Sequence, residues 1–212
     1  MAASRSPQIR ARKRPQQHRS NELVEAVLEA AVQVLMAEGA RRFTTARVAE
    51  RAGVSVGSLY QYFPNKAAIL FRLQVDEWRR TTALLSGILE QRDLPPMVRL
   101  RRLVHAFVRS ECEEAAIRLA LADAAPLYRD APESAALKEE AGRVYREFVE
   151  EALPDAPEEV RHRAGDLIKM TLGQVGASFS ATPQTEATIV AWSDAMADMF
   201  VAYLGALRGE TR

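Results

Sequence analysis

An alanine followed four residues later by a glycine, set between two short apolar-periodic runs, constrains this chain more than any other feature. The segment is Phe43–Lys66, FTTARVAERAGVSVGSLYQYFPNK. Ala49 supplies the small side chain that a closely crossing second helix requires, and Gly53 supplies a residue that tolerates positive φ in a sharp turn. Val48, Val54, Leu59 and Phe63 are apolar where two such helices must lock together. The spacing predicts a helix-turn-helix between about Thr44 and Phe63. Thr44 or Thr45 opens a first helix over Ala46–Ala52, Ser55 opens a second through about Tyr62, and Pro64 ends it.

The rest of the chain also reads as helical. Ser20 or Asn21 can cap a helix whose inner face is Val24, Val27, Leu28, Ala31 and Leu35, with Gly39 at its end as an αL residue. Asn65 caps a longer helix to about Glu90, carrying Ile69, Leu70, Leu73 and Trp78. Pro95 and Pro96 suit the first turn of a helix to about Cys112. A shorter one covers Glu113–Ala122, Ala125–Pro132 is a connection, and periodicity returns at Ser134–Leu153, Pro157–Ser180 and Pro183–Leu207. No segment alternates as a strand does, so the expected class is all-α with about nine helices.

Charge divides the chain. Residues 1–80 hold 14 Lys+Arg against 7 Asp+Glu, a net of +7, and residues 81–212 hold 15 against 21, a net of −6. A basic head on an acidic body implies that only the head meets a polyanion. Residues 1–20, with Arg5, Arg10, Arg12, Lys13, Arg14 and Arg19, no acid and few apolar groups, read as a disordered arm able to touch phosphates. The single cysteine, Cys112, allows no intramolecular disulfide. No uninterrupted apolar run reaches the length of a bilayer, and no apolar signal segment follows the basic start; the reading is a cytoplasmic protein with no membrane partner.

The second short helix leaves Val56, Gly57, Ser58, Tyr60, Gln61 and Tyr62 beyond its core positions, small, polar or aromatic groups suited to entering a major groove. Helix starts add phosphate sites: Thr44 and Thr45 at one, Ser55 at the next and Lys66 at a third, where free N–H groups and the dipole favour an anion. These ten residues form the candidate DNA-binding set.

On these residues, positions 21–80 resemble the DNA-binding domain of the TetR family of regulators. The matching residues are a long first helix ending at Gly39, then Thr44-Thr45, Val48-Ala49, Ala52-Gly53-Val54-Ser55, Gly57-Ser58-Leu59-Tyr60, Tyr62-Phe63 and Lys66. The resemblance implies a three-helix DNA-binding head over 21–64 and a helical domain over 65–212 that binds a small molecule and dimerises. It also implies a repressor whose operator affinity falls when the ligand binds, and it names no ligand.

The C-terminal part offers no catalytic constellation, no metal-ligand spacing and no cofactor motif. His162 sits among Glu159, Arg161 and Arg163, and Cys112 has acidic neighbours that would raise its pKa. Trp78, His105, Phe107, Tyr128, Tyr145, Phe148, Met170 and Phe179 are the candidates for lining an apolar pocket between helices, although each also suits an ordinary core. The last two helices carry small residues (Gly173, Gly176, Ala177, Ala195, Ala202) and apolar groups on more than one face. That pattern fits pairing with a second copy about a two-fold axis. The expected partners are therefore double-stranded DNA with an inverted-repeat operator, a small-molecule effector, and a second subunit. The rival readings are a constitutive architectural DNA-binding protein without effector, and an all-α enzyme, which would need a convergent set of titrating groups.

Overall fold

The computed structural model describes residues 18–127 and 132–210, and among them every regular element is helical. In chain order these are α1 (His18–Arg42), α2 (Thr45–Arg51), α3 (Val56–Tyr62), α4 (Lys66–Leu89), α5 (Pro96–Glu113), α6 (Ala115–Ala124), a 3-10 turn (Ala125–Leu127), α7 (Pro132–Ala152), α8 (Glu158–Ser180) and α9 (Glu186–Glu210). The all-α reading stands. The N-terminal arm up to residue 17 and Tyr128 lie outside the described residues.

Two compact units emerge. One holds the described residues up to Trp78 together with those of Ala116–Ala135; the other holds Arg79–Ala115 together with those of Ala136–Arg212. In the first, α1 packs on α2 and α2 on α3. Val27, Ala31, Leu35, Phe43, Val48, Leu59, Phe63, Ile69 and Leu70 have almost no exposed surface. Two expectations about α1 need correction. The helix is already running at His18, because nothing between there and Asn21 breaks it, so neither Ser20 nor Asn21 is its start. Gly39 has φ 72° and ψ 169°, so it leaves the helix in an extended, positive-φ conformation rather than as αL, and a further helical turn follows.

In the second unit α5 is the central element, packed against α9 and α8. Leu100, Leu103, Val104 and Val108 on α5 join Phe148 and Val149 of α7, Ile168 and Leu172 of α8, and Ile189, Met196, Phe200 and Leu204 of α9 in one core. Arg99 is buried in it at 1% exposure. Its guanidinium donates to the Leu89 carbonyl, pairs with Glu151 and lies 5.6 Å from the Phe148 ring centroid. A ladder of polar contacts follows α5 along α9: ion pairs of Arg101 with Asp194 and Asp198 and of Arg109 with Glu186, and between them a hydrogen bond joining His105 to Asp194. α9 is long and apolar enough by composition to cross a bilayer, with mean hydropathy 1.2 over Glu186–Gly209. Asp194 and Asp198 interrupt that run, and its inner side belongs to the core around α5.

Candidate nucleic-acid interface

The α2–α3 corner is set by caps and one turn. Thr44 is extended and its Oγ1 accepts the Arg47 N–H at 3.3 Å, which starts α2. At the other end Gly53, at φ 67°, donates its N–H to the Glu50 carbonyl at 3.2 Å, and Val54 donates to Ala49 at 3.0 Å. That pair of bonds is a Schellman closure, and it requires the left-handed residue the sequence placed at position 53. Ser55 then caps α3 by accepting the Ser58 N–H at 3.0 Å. Asn65 caps α4 through a 2.9 Å bond from the Ala68 N–H. Ala49 is buried where α3 crosses, as its size demands.

This geometry sorts the ten candidates. Leu59 and Tyr62 form the buried side of α3, while Val56, Gly57, Tyr60 and Gln61 are exposed and Ser58 is half-buried. Tyr62, at 7% exposure, is therefore a packing residue and does not share the outward face. Its i+3 spacing from Leu59 on a seven-residue helix was the available signal. Tyr60 is outward at 39% exposure, its hydroxyl 3.1 Å from Thr45 Oγ1, so the start of α2 and the body of α3 present one continuous surface. A Cβ added to Gly57 would meet only Ser55 Oγ, at 3.8 Å; nothing inside the protein demands glycine there. Thr44 and Ser55 are exposed, and Thr45 and Lys66 are half-buried.

Arginines that the sequence reading passed over flank this face. Arg41, Arg42 and Arg51 are exposed and Arg47 is half-buried. Arg51 Nε donates to Gln33 Oε1 at 2.6 Å, and Arg47 pairs with Glu38. Their density in residues 41–51 was a legible signal.

The ligand candidates in the second unit do not converge as a set. Phe148 is core, at 2% exposure, and Met170 stands outward at 68%. Tyr145 donates its hydroxyl to the Gly165 carbonyl at 3.2 Å, and burial, with Asp166 adding to it, pushes its pKa well above the ordinary range. His105 is committed to Asp194 at 3.0 Å. Phe107 lies against Gly176, where an added Cβ would come within 2.8 Å of its ring. Phe179 borders a groove of about 540 Å³, formed with Val175, Trp192 and the polar rim Gln174, Ser178, Thr182 and Gln184. Its ring lies 4.8 Å from that of Trp192. In the first unit Trp78 is half-buried on α4. Burial, and then Glu113, push the Cys112 thiol pKa up.

Two family models match the chain. One, for bacterial regulatory proteins of the tetR family, covers residues 27–73, and the other, for a tetracyclin repressor-like C-terminal domain, covers residues 95–207. Similar solved structures include a TetR-family transcriptional regulator from Mesorhizobium loti, with TM-score 0.67 and 14% identity over 88% of this chain and 98% of that one. A transcriptional regulator of the TerR/AcrR family from Aquifex aeolicus has TM-score 0.64 and 16% identity, covering 85% and 99%. The TetR family repressor AlkX from Dietzia sp., implicated in biodegradation of n-alkanes, has TM-score 0.54 and 20% identity, covering 86% and 97%. No curated protein matches by sequence.

Proposed function

This chain belongs to the TetR family of bacterial regulatory proteins, and on that premise we propose that it is a repressor that binds an inverted-repeat operator as a homodimer and is released by a small molecule. Membership makes it a DNA-binding regulator of transcription. The observation that supports the DNA-reading part of the proposal is the outward face of α3, four exposed residues on a helix fixed at both ends. Val56, Gly57, Ser58 and Gln61 enter the major groove, and Gly57 keeps the helix close to the base edges. Thr44, Thr45, Ser55, Tyr60 and Lys66 hold phosphates on either side. Tyr62 acts only by supporting that face.

Residues 21–64 form the reading head of this proposal, preceded by the basic arm, and residues 65–212 its effector and pairing part, working in the cytoplasm. Pairing uses the uncovered sides of the last two helices. Leu167 and Met170 on α8 and Met199 on α9 are about half or more exposed, and Ala195 and Ala202 complete the α9 stripe. The groove beside Phe179 and Trp192 suits an apolar or aromatic effector with a few polar handles, because its rim is neutral and hydrogen-bonding. Phe107, His105, Tyr145 and Phe148 support the helices around it rather than touching the compound.

Selection of bound duplexes from a random pool, with sedimentation of the free protein, tests this reading. The expected result is an inverted repeat and a dimer at micromolar concentration. A single unpaired half-site, or a monomer, sinks it. Linkage adds that operator DNA must weaken effector binding by the factor by which the effector weakens operator binding.

A further inference from the structure

We propose that Glu38 is an electrostatic brake on the DNA-binding head, holding Arg47 back over the α1–α2 corner and so withholding one positive charge from the phosphates. The inference rests on the reading that the start of α2 faces the DNA backbone. Arg47 belongs to the first turn of α2, where its N–H meets Thr44 Oγ1. Its side chain reaches back over the α1–α2 corner. It forms an ion pair with Glu38, and its Nη1 donates to the Arg42 carbonyl at 3.4 Å. Arg42 Nε lies 3.9 Å from the same Glu38 oxygen, so one carboxylate serves two arginines.

The two arginines of α2 are treated differently. Arg51 is held by the neutral amide oxygen of Gln33 and keeps its full charge, whereas Arg47 is held by an acid. The Glu38 side chain is 28% exposed and that of Arg47 39%, so solvent and salt screen the pair less than they would a fully exposed one. Glu38 stands at the break made by Gly39, where α1 stops following its axis and the corner with α2 begins.

The consequence has a definite sign. For Arg47 to reach a phosphate it must leave Glu38, and the released carboxylate then stands beside a polyanion. Both effects weaken binding to every sequence alike, because phosphate contacts carry no base information. Glu38 thus lowers non-specific and specific affinity together and keeps the head dependent on its base contacts.

The test measures affinity of the full chain for a selected site and for an unrelated duplex across a salt series. Glu38→Gln gives Arg47 the same kind of partner that Arg51 has. It should tighten binding to both duplexes by roughly three- to tenfold and steepen the salt dependence by about one unit per subunit. The gain should vanish in Glu38→Gln/Arg47→Ala. Glu50→Gln, which removes an exposed acid from the same short helix, should give clearly less. Equal gains from Glu50→Gln and Glu38→Gln, a gain that survives without Arg47, or weaker binding by Glu38→Gln would each overturn the brake. Failure of the interface reading looks different: a Tyr60→Ala/Gln61→Ala chain would bind as well as the unaltered one.

Discussion

The α2–α3 corner and the helical unit around α5 are held together by different means. The corner's backbone is fixed by hydrogen bonds to single atoms: Thr44 Oγ1, Ser55 Oγ, Asn65 Oδ1, and the Glu50 and Ala49 carbonyls that receive Gly53 and Val54. The second unit is fixed by volume, with side chains from α5, α7, α8 and α9 filling one core around a buried guanidinium. The lesson is one of separability. In the corner, the caps Thr44 and Ser55 set the backbone from the helix starts, while Val56, Gly57, Tyr60 and Gln61 on the outward side of α3 cap nothing and are free to differ without moving the helix. In the second unit nearly every core position is also a neighbour's boundary, so a change made there spreads.

The largest effect is expected at the buried charge. Glu151→Ala leaves Arg99 with only the Leu89 carbonyl and the Phe148 ring, and should destabilise the protein by about 3 kcal/mol in urea unfolding. Arg99→Met, which removes the charge with the pair, should cost clearly less. If the two cost the same, the unit is not organised around that ion.

Next come two glycines needed for different reasons. Gly53→Ala should cost about 1–2 kcal/mol because an L side chain is strained at φ 67°, and DNA binding should weaken with it. Gly176→Ala gains helix propensity but meets Phe107 at 2.8 Å and Glu111 Cγ at 3.1 Å, for a net loss of about 1 kcal/mol. Phe107→Leu should relieve the second. No trimming can relieve the first, since nothing lies within 4 Å of the Gly53 site. Thermal melts of the single and double variants decide it; a rescuable Gly53→Ala would erase the contrast.

The smallest effect is a pH dependence at the start of α9. A hydrogen bond from Arg109 holds the Glu186 carboxyl below its ordinary value; partial desolvation opposes it, and the Arg109 charge adds a smaller pull in the same direction as the hydrogen bond. A depressed acid contributes stability that is present above its unfolded pKa, about 4.3, and is lost as pH falls through the folded value. The melting-temperature gap between the unaltered chain and Glu186→Gln should be flat from pH 5 to 8 and close below about pH 4. A gap that persists there would assign the contact to packing.

What the sequence made legible follows the same division. Gly53, Ser55 and Asn65 act through bonds to residues three away, Ala49 through its size and Pro64 by ending a helix, and such local chemistry can be read from spacing. Helix boundaries after Gln91 were also recovered to within a few residues, because prolines begin α5 and periodicity marks the rest. The burial of Tyr62 was hidden because an aromatic at the end of a short helix suits either face. The orientations of the ligand candidates were hidden for a longer-range reason. Whether Phe148 or Met170 turns inward depends on which helices pack against α7 and α8, and no local pattern states that. Arg99 was invisible for the same cause: an arginine between Val98 and Leu100 reads as surface until Glu151 and Leu89 are seen beside it.

The packing of α5 on α9 has a consequence for how the molecule comes into being. α9 begins ninety residues after α5 does. On a ribosome, α1, α2 and α3 can meet as soon as they emerge, since their contacts are near in sequence. The inner face of α5, with Leu100, Leu103, Val104 and Val108, must wait while three more helices are synthesised before its main partner exists. That interval is a slow, high-contact-order step, during which a nascent chain exposes an apolar stripe to chaperones and to other nascent chains. Yield in the cell should accordingly respond to translation speed and growth temperature through this helix, while the early-folding head stays indifferent to both.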